Sequence, residues 1–196
     1  MRGNKTLFIT GGAGFLGWNL VPVLAAEYKD IHALRHTSPL PDPPEIQPID
    51  GDLSNPAEIG EIVSDLNPDI IIHAGAVSRS STCENNPDLA ERVNVESANA
   101  MLEACNAERT RFIFLSTDLV FDGLKGDYSE ENTPNPRMKY GQTKREAESL
   151  IIQKSRNFVI LRVSLMFGPP SPSSSSFIEW LDKGLSTGVT LFTDRS

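Results

Sequence analysis

Tyr140 and Lys144 stand four residues apart in a stretch of helical periodicity, so both side chains fall on one helix face and can share a cleft. A phenol with an ammonium beside it is equipped to move a proton at a carbonyl oxygen. That positive charge, together with a positively charged cofactor ring bound beside it, favours the phenolate and should lower the phenol from its ordinary value near pH ~10, letting Tyr140 act as acid and base near neutrality. Neither Tyr28 nor Tyr128 has a lysine four residues on. Ser116-Thr117-Asp118 closes an apolar run, at what should be the carboxyl end of a strand, where open parallel sheets place their ligands. Thr117 could hydrogen-bond the reacting oxygen; a polar cap on the following turn is the plainer role for these three residues.

A second group lies near the start of the chain, where Leu7-Phe8-Ile9 runs straight into Thr10-Gly11-Gly12-Ala13-Gly14-Phe15-Leu16-Gly17. A strand, a glycine turn and a helix in that order offer free backbone N–H groups and the positive end of a helix dipole to an anion, usually phosphate. Gly11 permits the tight turn, Gly14 lets the backbone approach a diphosphate, and Gly17 lets the helix lie close on the strand. A plain strand-to-helix turn also uses glycine, but the flanking strand and helix are those a dinucleotide fingerprint requires. A dinucleotide cradle and a proton-moving phenol together point to nicotinamide redox chemistry on a sugar-like carbonyl.

To position these groups the chain offers short apolar runs at 5–10, 31–34, 46–49, 69–73, 111–116 and 158–161, which read as strands covered on both faces. Between them lie helical stretches at 14–27, 55–66, 88–106 and 140–154, with Ser54 and Asp88 near helix starts. That alternation predicts an α/β fold, a doubly wound parallel sheet with helices on both faces. Ser38 to Pro44 carries four prolines and leaves no room for a helix, so the link from second to third strand should be an extended crossover. Pro169 to Ser176 has linker composition and could cover the site, and Phe177 to Ser186 reads as a further short helix.

The 196 residues carry 39% hydrophobic and 22% charged side chains, ordinary for a globular domain, and a net charge of −8 leaves no basic face for nucleic acid. No apolar run approaches the roughly 18 residues a membrane span needs, and a cytoplasmic location is expected. Cys83 and Cys105 are far apart without a CxxC, and His32, His36 and His73 lack ligand spacing, so neither disulfide nor metal site is expected.

The chain resembles the extended short-chain dehydrogenase/reductase family, most closely its dTDP-4-dehydrorhamnose reductase branch. The resemblance rests on TGGAGFLG at Thr10 to Gly17, GDLSNP at Gly51 to Pro56, HAGAV at His73 to Val77, VNVESA at Val93 to Ala98, STDLVFDG at Ser116 to Gly123 and YGQTKREAE at Tyr140 to Glu148. STDLVFDG followed by Tyr128, Glu130, Pro134 and Pro136 is the most specific of these. The resemblance implies a Rossmann-type NAD(P)-binding domain over 1–168, with 169–196 opening a substrate-binding region that is cut short. It implies catalytic Thr117, Tyr140 and Lys144, with Asp118 helping to hold the sugar. Cofactor contacts would run through Gly11, Ala13, Gly14, Phe15, Leu16 and Gly17, then Asp52 and Leu53 beside the adenine. Ala74, Gly75 and Ala76 would line the turn after the fourth strand, with Ser116, Tyr140 and Lys144 completing the set. Leu165 departs from a tryptophan usual in the branch, which leaves the exact sugar nucleotide open.

The activity so implied is reduction of a 4-keto sugar nucleotide by NAD(P)H. The same family also holds epimerases and dehydratases, the latter with an acid pair of which Asp118-Leu119 lacks the second member, and the branch is similar to a non-catalytic regulatory subunit of methionine adenosyltransferase. NADPH is expected over NADH, since the second strand ends in Arg35-His36 with no Asp or Glu for a ribose 2′-hydroxyl, and a guanidinium suits a 2′-phosphate. The helices at 88–106 and 140–154 could form a homodimer, through the stripe Ala98, Met101, Leu102 and Cys105, which would serve equally for burial against the sheet. Phe192 to Ser196 would lead into the missing lobe, so this chain is expected to bind NADPH with little turnover of its own.

Overall fold

The computed structural model describes residues 3–172 and 177–187. The apolar runs form β1 (Gly3–Thr10), β2 (Tyr28–Arg35), β3 (Ile46–Asp50), β4 (Ile70–His73), β5 (Arg111–Thr117) and β6 (Phe158–Val163). They make one sheet in the order β3-β2-β1-β4-β5-β6, with every pairing parallel. The chain therefore starts in the middle, winds outward through β2 and β3, and returns to the other side of β1. The direction of winding reverses between β1 and β4, and a crevice opens at their carboxyl ends.

Around the sheet lie α1 (Phe15–Glu27), α2 (Pro56–Leu66), α3 (Ser80–Asn85), α4 (Pro87–Glu91), α5 (Ser97–Ala104) and α6 (Lys139–Lys154), and α7 (Phe177–Thr187) follows β6 in the chain. Alternate residues of a strand face opposite sides, and β1 shows the result: Leu7 and Ile9 join Ile31, Ala33, Ile70 and Ile72 against Val21 and Ala25 of α1. Phe8 faces the other way and packs with Ile71, Phe112 and Phe114 against α2, α5 and α6. Each fully buried side chain of this size contributes about 1.5–3 kcal/mol, so the two faces together fix where every strand end falls.

Several elements differ from expectation. The stretch expected at 88–106 is helical from Pro87 to Ala104 but not regular: α4 passes through a π-type bulge at Arg92–Glu96 into α5. α4 starts earlier than expected, with Pro87 in its first turn and the Asn86 side chain accepting the Leu89 N–H at 3.2 Å. Ser54 lies just ahead of α2, whose N-cap is Asn55. Ala98, Met101 and Leu102 are buried against the sheet and Cys105 is half-buried beside them, so this stripe is core and not a face for a second subunit.

The crossover from Ser38 to Pro44 is free of helix, as expected, and its Leu40 packs on the glycine turn: a Cβ on Gly12 would meet Leu40 Cδ2 at 2.9 Å. α7 falls where a short helix was expected. Residues 173–176 of the linker-like segment, and the ending Phe192 to Ser196, lie outside the described residues. Among the described residues no helix is long and apolar enough to cross a membrane, and no group of three or more His, Cys, Asp or Glu could hold a metal ion.

Candidate active site

The glycine turn is built as its spacing suggests. Gly11 has φ +74°, in the left-handed region, and a Cβ there would meet Gly75 N at 2.6 Å. A Cβ on Gly17 would meet Gly11 O at 2.2 Å, which brings α1 hard onto the turn. Gly14 is the N-cap of α1 and no side chain caps that helix, leaving its first-turn amides, at Phe15 and Leu16, to an outside acceptor.

Beyond the turn a cleft of about 280 Å³ is lined by Gly11, Ala13 and Gly14, by Leu34, His36, Thr37 and Ser38 after β2, by Gly51, Asp52 and Leu53 after β3, and by Ala76 and Val93. Of the residues expected at a cofactor, six thus meet in one cleft. Asp52 is fixed there by the Ser54 N–H at 2.8 Å and hydroxyl at 2.7 Å, bonds that hold its carboxyl below the usual range. Gly75 supports the cleft from behind, donating to Thr10 Oγ1 at 3.1 Å, and Ala74 donates to Thr10 O. Arg35 is not brought in: in register opposite Asp50, it pairs with that carboxylate at 2.8 Å on the exposed sheet edge. His36, Thr37 and Ser38 line the cleft in its place, and Thr37 and Ser38 are not marked by any sequence motif because a loop's lining depends on how β2 and β3 pair.

Asn94 is a further residue that sequence reasoning missed. The π-type bulge turns it inward, fully buried, where its Oδ1 accepts the Val77 N–H at 2.8 Å and its Nδ2 donates to Val77 O and Thr143 Oγ1. Thr143 in turn donates to Tyr140 O at 2.8 Å. One amide thus ties the cleft-lining segment after β4 to the helix that carries Tyr140. Asn94→Leu would strand several buried polar groups at about 1–3 kcal/mol each. We expect a melting temperature lower by on the order of 6–12 °C for a loss near 3 kcal/mol. A shift under about 2 °C in differential scanning calorimetry would contradict it.

The residues expected to handle a carbonyl lie at the carboxyl end of β5 and along α6. Thr117 is buried at 5% exposure; its Oγ1 accepts the Leu119 N–H at 3.1 Å and donates to Asp118 Oδ1 at 3.2 Å, so it does cap the following turn as the plainer reading held. Asp118 lines a second hollow of about 610 Å³ with Phe121, Asp122, Tyr128, Met138 and Arg162. Phe121 and Tyr128 stack there, 4.5 Å between centroids, and the Tyr128 hydroxyl is anchored on Asp122. Leu165 stands exposed after β6. Ser116 turns from the cleft, its hydroxyl donating to Glu148 at 2.5 Å.

Tyr140 corrects one expectation. Burial, helped by the nearby anionic forms of Cys83 and Asp118, pushes its phenol up to about 12 and not down. Lys144 cannot oppose this strongly, because its own burial drives the ammonium down to about 7, with the Glu148 carboxylate pulling the other way. Its Nζ lies 3.9 Å above the Phe114 ring centroid. Tyr140 therefore holds its proton across the neutral range and is set up as a proton donor.

Burying Lys144 has a stability consequence whose sign is fixed. Its folded value, about 7, lies below the unfolded 10.5, so the cost is fully present below pH 7 and fades as the unfolded chain loses its proton toward 10.5. At about 1.4 kcal/mol per tenfold change in proton affinity, Lys144→Met should stabilise the chain by on the order of 3–5 kcal/mol at pH 7, or about 10 °C in melting temperature. Near pH 9.5 about a third of that gain should remain. Melting curves of both proteins at the two pH values check it; a gain that does not shrink with pH would count against a depressed Lys144.

The family model described as the RmlD substrate binding domain matches residues 5–191. The methionine adenosyltransferase 2 subunit beta of Bos taurus is 30% identical over 174 residues, 84% of this chain and 48% of that protein. A probable low-salt glycan biosynthesis reductase of Haloferax volcanii is 30% identical over 195 residues, 96% of this chain and 64% of that one. The crystal structure of the dTDP-4-dehydrorhamnose reductase of Bacillus anthracis in complex with NADP superposes with a TM-score of 0.76 at 25% identity, covering 95% of this chain and 61% of that chain. This chain thus spans between about half and two thirds of the length of these three. With the sheet order, the glycine turn and the Tyr140–Lys144 helix face already in place, the chain belongs to the RmlD substrate binding domain family, within the extended short-chain dehydrogenases/reductases.

Proposed function

We propose that the chain carries the cofactor-binding and proton-donating residues of an NAD(P)H-dependent reductase of 4-keto sugar nucleotides. The observation that carries this reading is that one sheet presents, at its carboxyl ends, both an uncapped helix start behind a glycine turn and a half-buried, protonated Tyr140 near Asp118, on the helix face it shares with Lys144. The cleft fits the adenosine diphosphate part of such a cofactor: the turn has no Cβ where a diphosphate must approach, and Asp52 and Leu53 stand where an adenine can lie. A reduced nicotinamide, when bound, supplies the hydride that the carbonyl carbon takes up. Tyr140 gives its proton to the carbonyl oxygen. Thr117 can redirect its hydroxyl from Asp118 to the same oxygen, and the Lys144 ammonium favours the phenolate left behind. Asp118, at the mouth of the second hollow, is placed to hold sugar hydroxyls.

The test is incubation of the chain, in excess, with 4-deuterated NADPH and a panel of 4-keto sugar nucleotides. Deuterium at C4 of the sugar is expected, at a slow rate. NADPH binding without transfer to any of them would favour a regulatory role, a reading that the bovine relative supports. Conversion without net NADPH consumption would favour an epimerase or dehydratase.

NADPH is expected to bind at least about tenfold more tightly than NADH, because no carboxylate terminates β2 and His36, Thr37 and Ser38 can receive a 2′-phosphate. Calorimetric titration with both cofactors checks this, and equal affinities would contradict it. Arg35→Ala then separates two donors: lost NADPH affinity gives the phosphate to the guanidinium, unchanged affinity leaves it with the loop.

A further inference from the structure

Glu148 is almost wholly buried, with 3% of its side chain exposed, yet each of its oxygens is used. Arg162 of β6 grips it with two bonds, Nε to Oε1 at 3.0 Å and a terminal nitrogen to Oε2 at 2.7 Å, while the Ser116 hydroxyl of β5 donates to Oε1. Glu148 also stands one helical turn past Lys144, so Tyr140, Lys144 and Glu148 form a line at spacing four along one side of α6. A buried carboxylate–guanidinium pair is a poor way to gain stability, since the desolvation of both ions offsets their attraction. Its position behind the lysine is what calls for a role.

We propose that Glu148, clamped by Arg162 and Ser116, is a positioning residue that keeps the buried Lys144 ammonium charged for the proton transfer at Tyr140. Lys144, 1% exposed, stands among groups that cannot supply a negative charge: the Phe114 ring beneath it, the Tyr140 phenol on its own helix, and His73 of β4. His73 is buried and held neutral by burial, its Nδ1 against Thr10 Oγ1. Asp118 faces Tyr140 from the turn after β5. Glu148 is the anion whose charge raises the proton affinity of Lys144, opposing burial, while both its oxygens are held by Arg162. The clamp also explains why Ser116 points away from the cofactor cleft.

The inference rests on the proposed use of Lys144, but its test needs neither cofactor nor substrate. The chain is labelled with 13C at lysine Cε, the Lys144 signal is assigned by its absence in Lys144→Met, and its midpoint is followed by NMR from pH 5 to 10. The unmodified protein should titrate near 7. Glu148→Gln keeps the shape but removes the charge, at the loss of an Arg162 bond to the oxygen that becomes NH2, and should lower the midpoint by at least about half a pH unit. Arg162→Gln removes the opposing cation and should raise it. Opposite shifts are the signature of charge control. An unchanged midpoint in folded Glu148→Gln, or shifts of the same sign in both variants, would overturn the proposal. Should Glu148→Gln fail to fold, the upward shift in Arg162→Gln supports it and no upward shift overturns it. Neither result alters the deuterium-transfer outcome, so the two readings fail separately.

Discussion

Tyr140→Phe is expected to slow carbonyl reduction by about a thousandfold while NADPH affinity stays within about twofold. A positioned general acid contributes roughly 10²–10⁴ in rate. Tyr140 is well suited to that part, because burial keeps its phenol protonated up to about 12 and so wastes none of it as phenolate at neutral pH. The cofactor-side effect should be small for a structural reason: Tyr140 does not line the dinucleotide cleft, and the ring of phenylalanine fills the same space between Cys83 and the turn at Asp118. The helix should not move either, since it is tied by Thr143 to Asn94 through groups the substitution leaves alone. The measurement is single-turnover oxidation of NADPH with the best 4-keto substrate, beside a binding titration. A variant retaining more than a few per cent of the rate would remove Tyr140 as the acid.

Gly17→Ala should abolish cofactor binding and cost at least about 3 kcal/mol of stability. The added methyl would lie 2.2 Å from Gly11 O and 2.5 Å from Gly12 Cα, both backbone, so no side chain can swing aside. Relief requires moving α1 off β1, which opens the turn that should hold the diphosphate and loosens Val21 and Ala25 from the sheet. Gly14→Ala is the informative partner. Its Cβ would meet only Gly11 O, at 3.2 Å, so the fold should survive with a melting temperature near that of the parent. Affinity for NADPH should still fall by about tenfold or more, because the methyl stands where a phosphate must approach. If Gly14→Ala binds normally, the turn is a structural joint and not an anion cradle.

What the sequence revealed were features written in local spacing. Gly11, Gly14 and Gly17 act within seven residues, and Tyr140 and Lys144 within one helical turn, so both could be placed before any tertiary contact was known. The near-continuous apolar runs gave the parallel sheet for the same reason. Missed features depend on distant partners. The π-type bulge within the helix at 92–96 carries Asn94, which bonds Val77 and Thr143, 17 and 49 residues away. Arg35 looked free to meet a phosphate until strand register set it opposite Asp50. The direction of the Tyr140 shift was misread because an ammonium four residues away is visible in sequence, whereas the burial that outweighs it is not.

Titration of the unmodified chain with NADPH, followed by backbone amide NMR, bears most directly on the claim that the reversal in strand order is a dinucleotide site serving Tyr140. Saturable binding of one cofactor per chain is predicted, with the largest shifts at Gly11 to Gly17, His36 to Ser38, and Asp52 and Leu53. No saturation at millimolar cofactor, or shifts gathered away from these three segments, would contradict it.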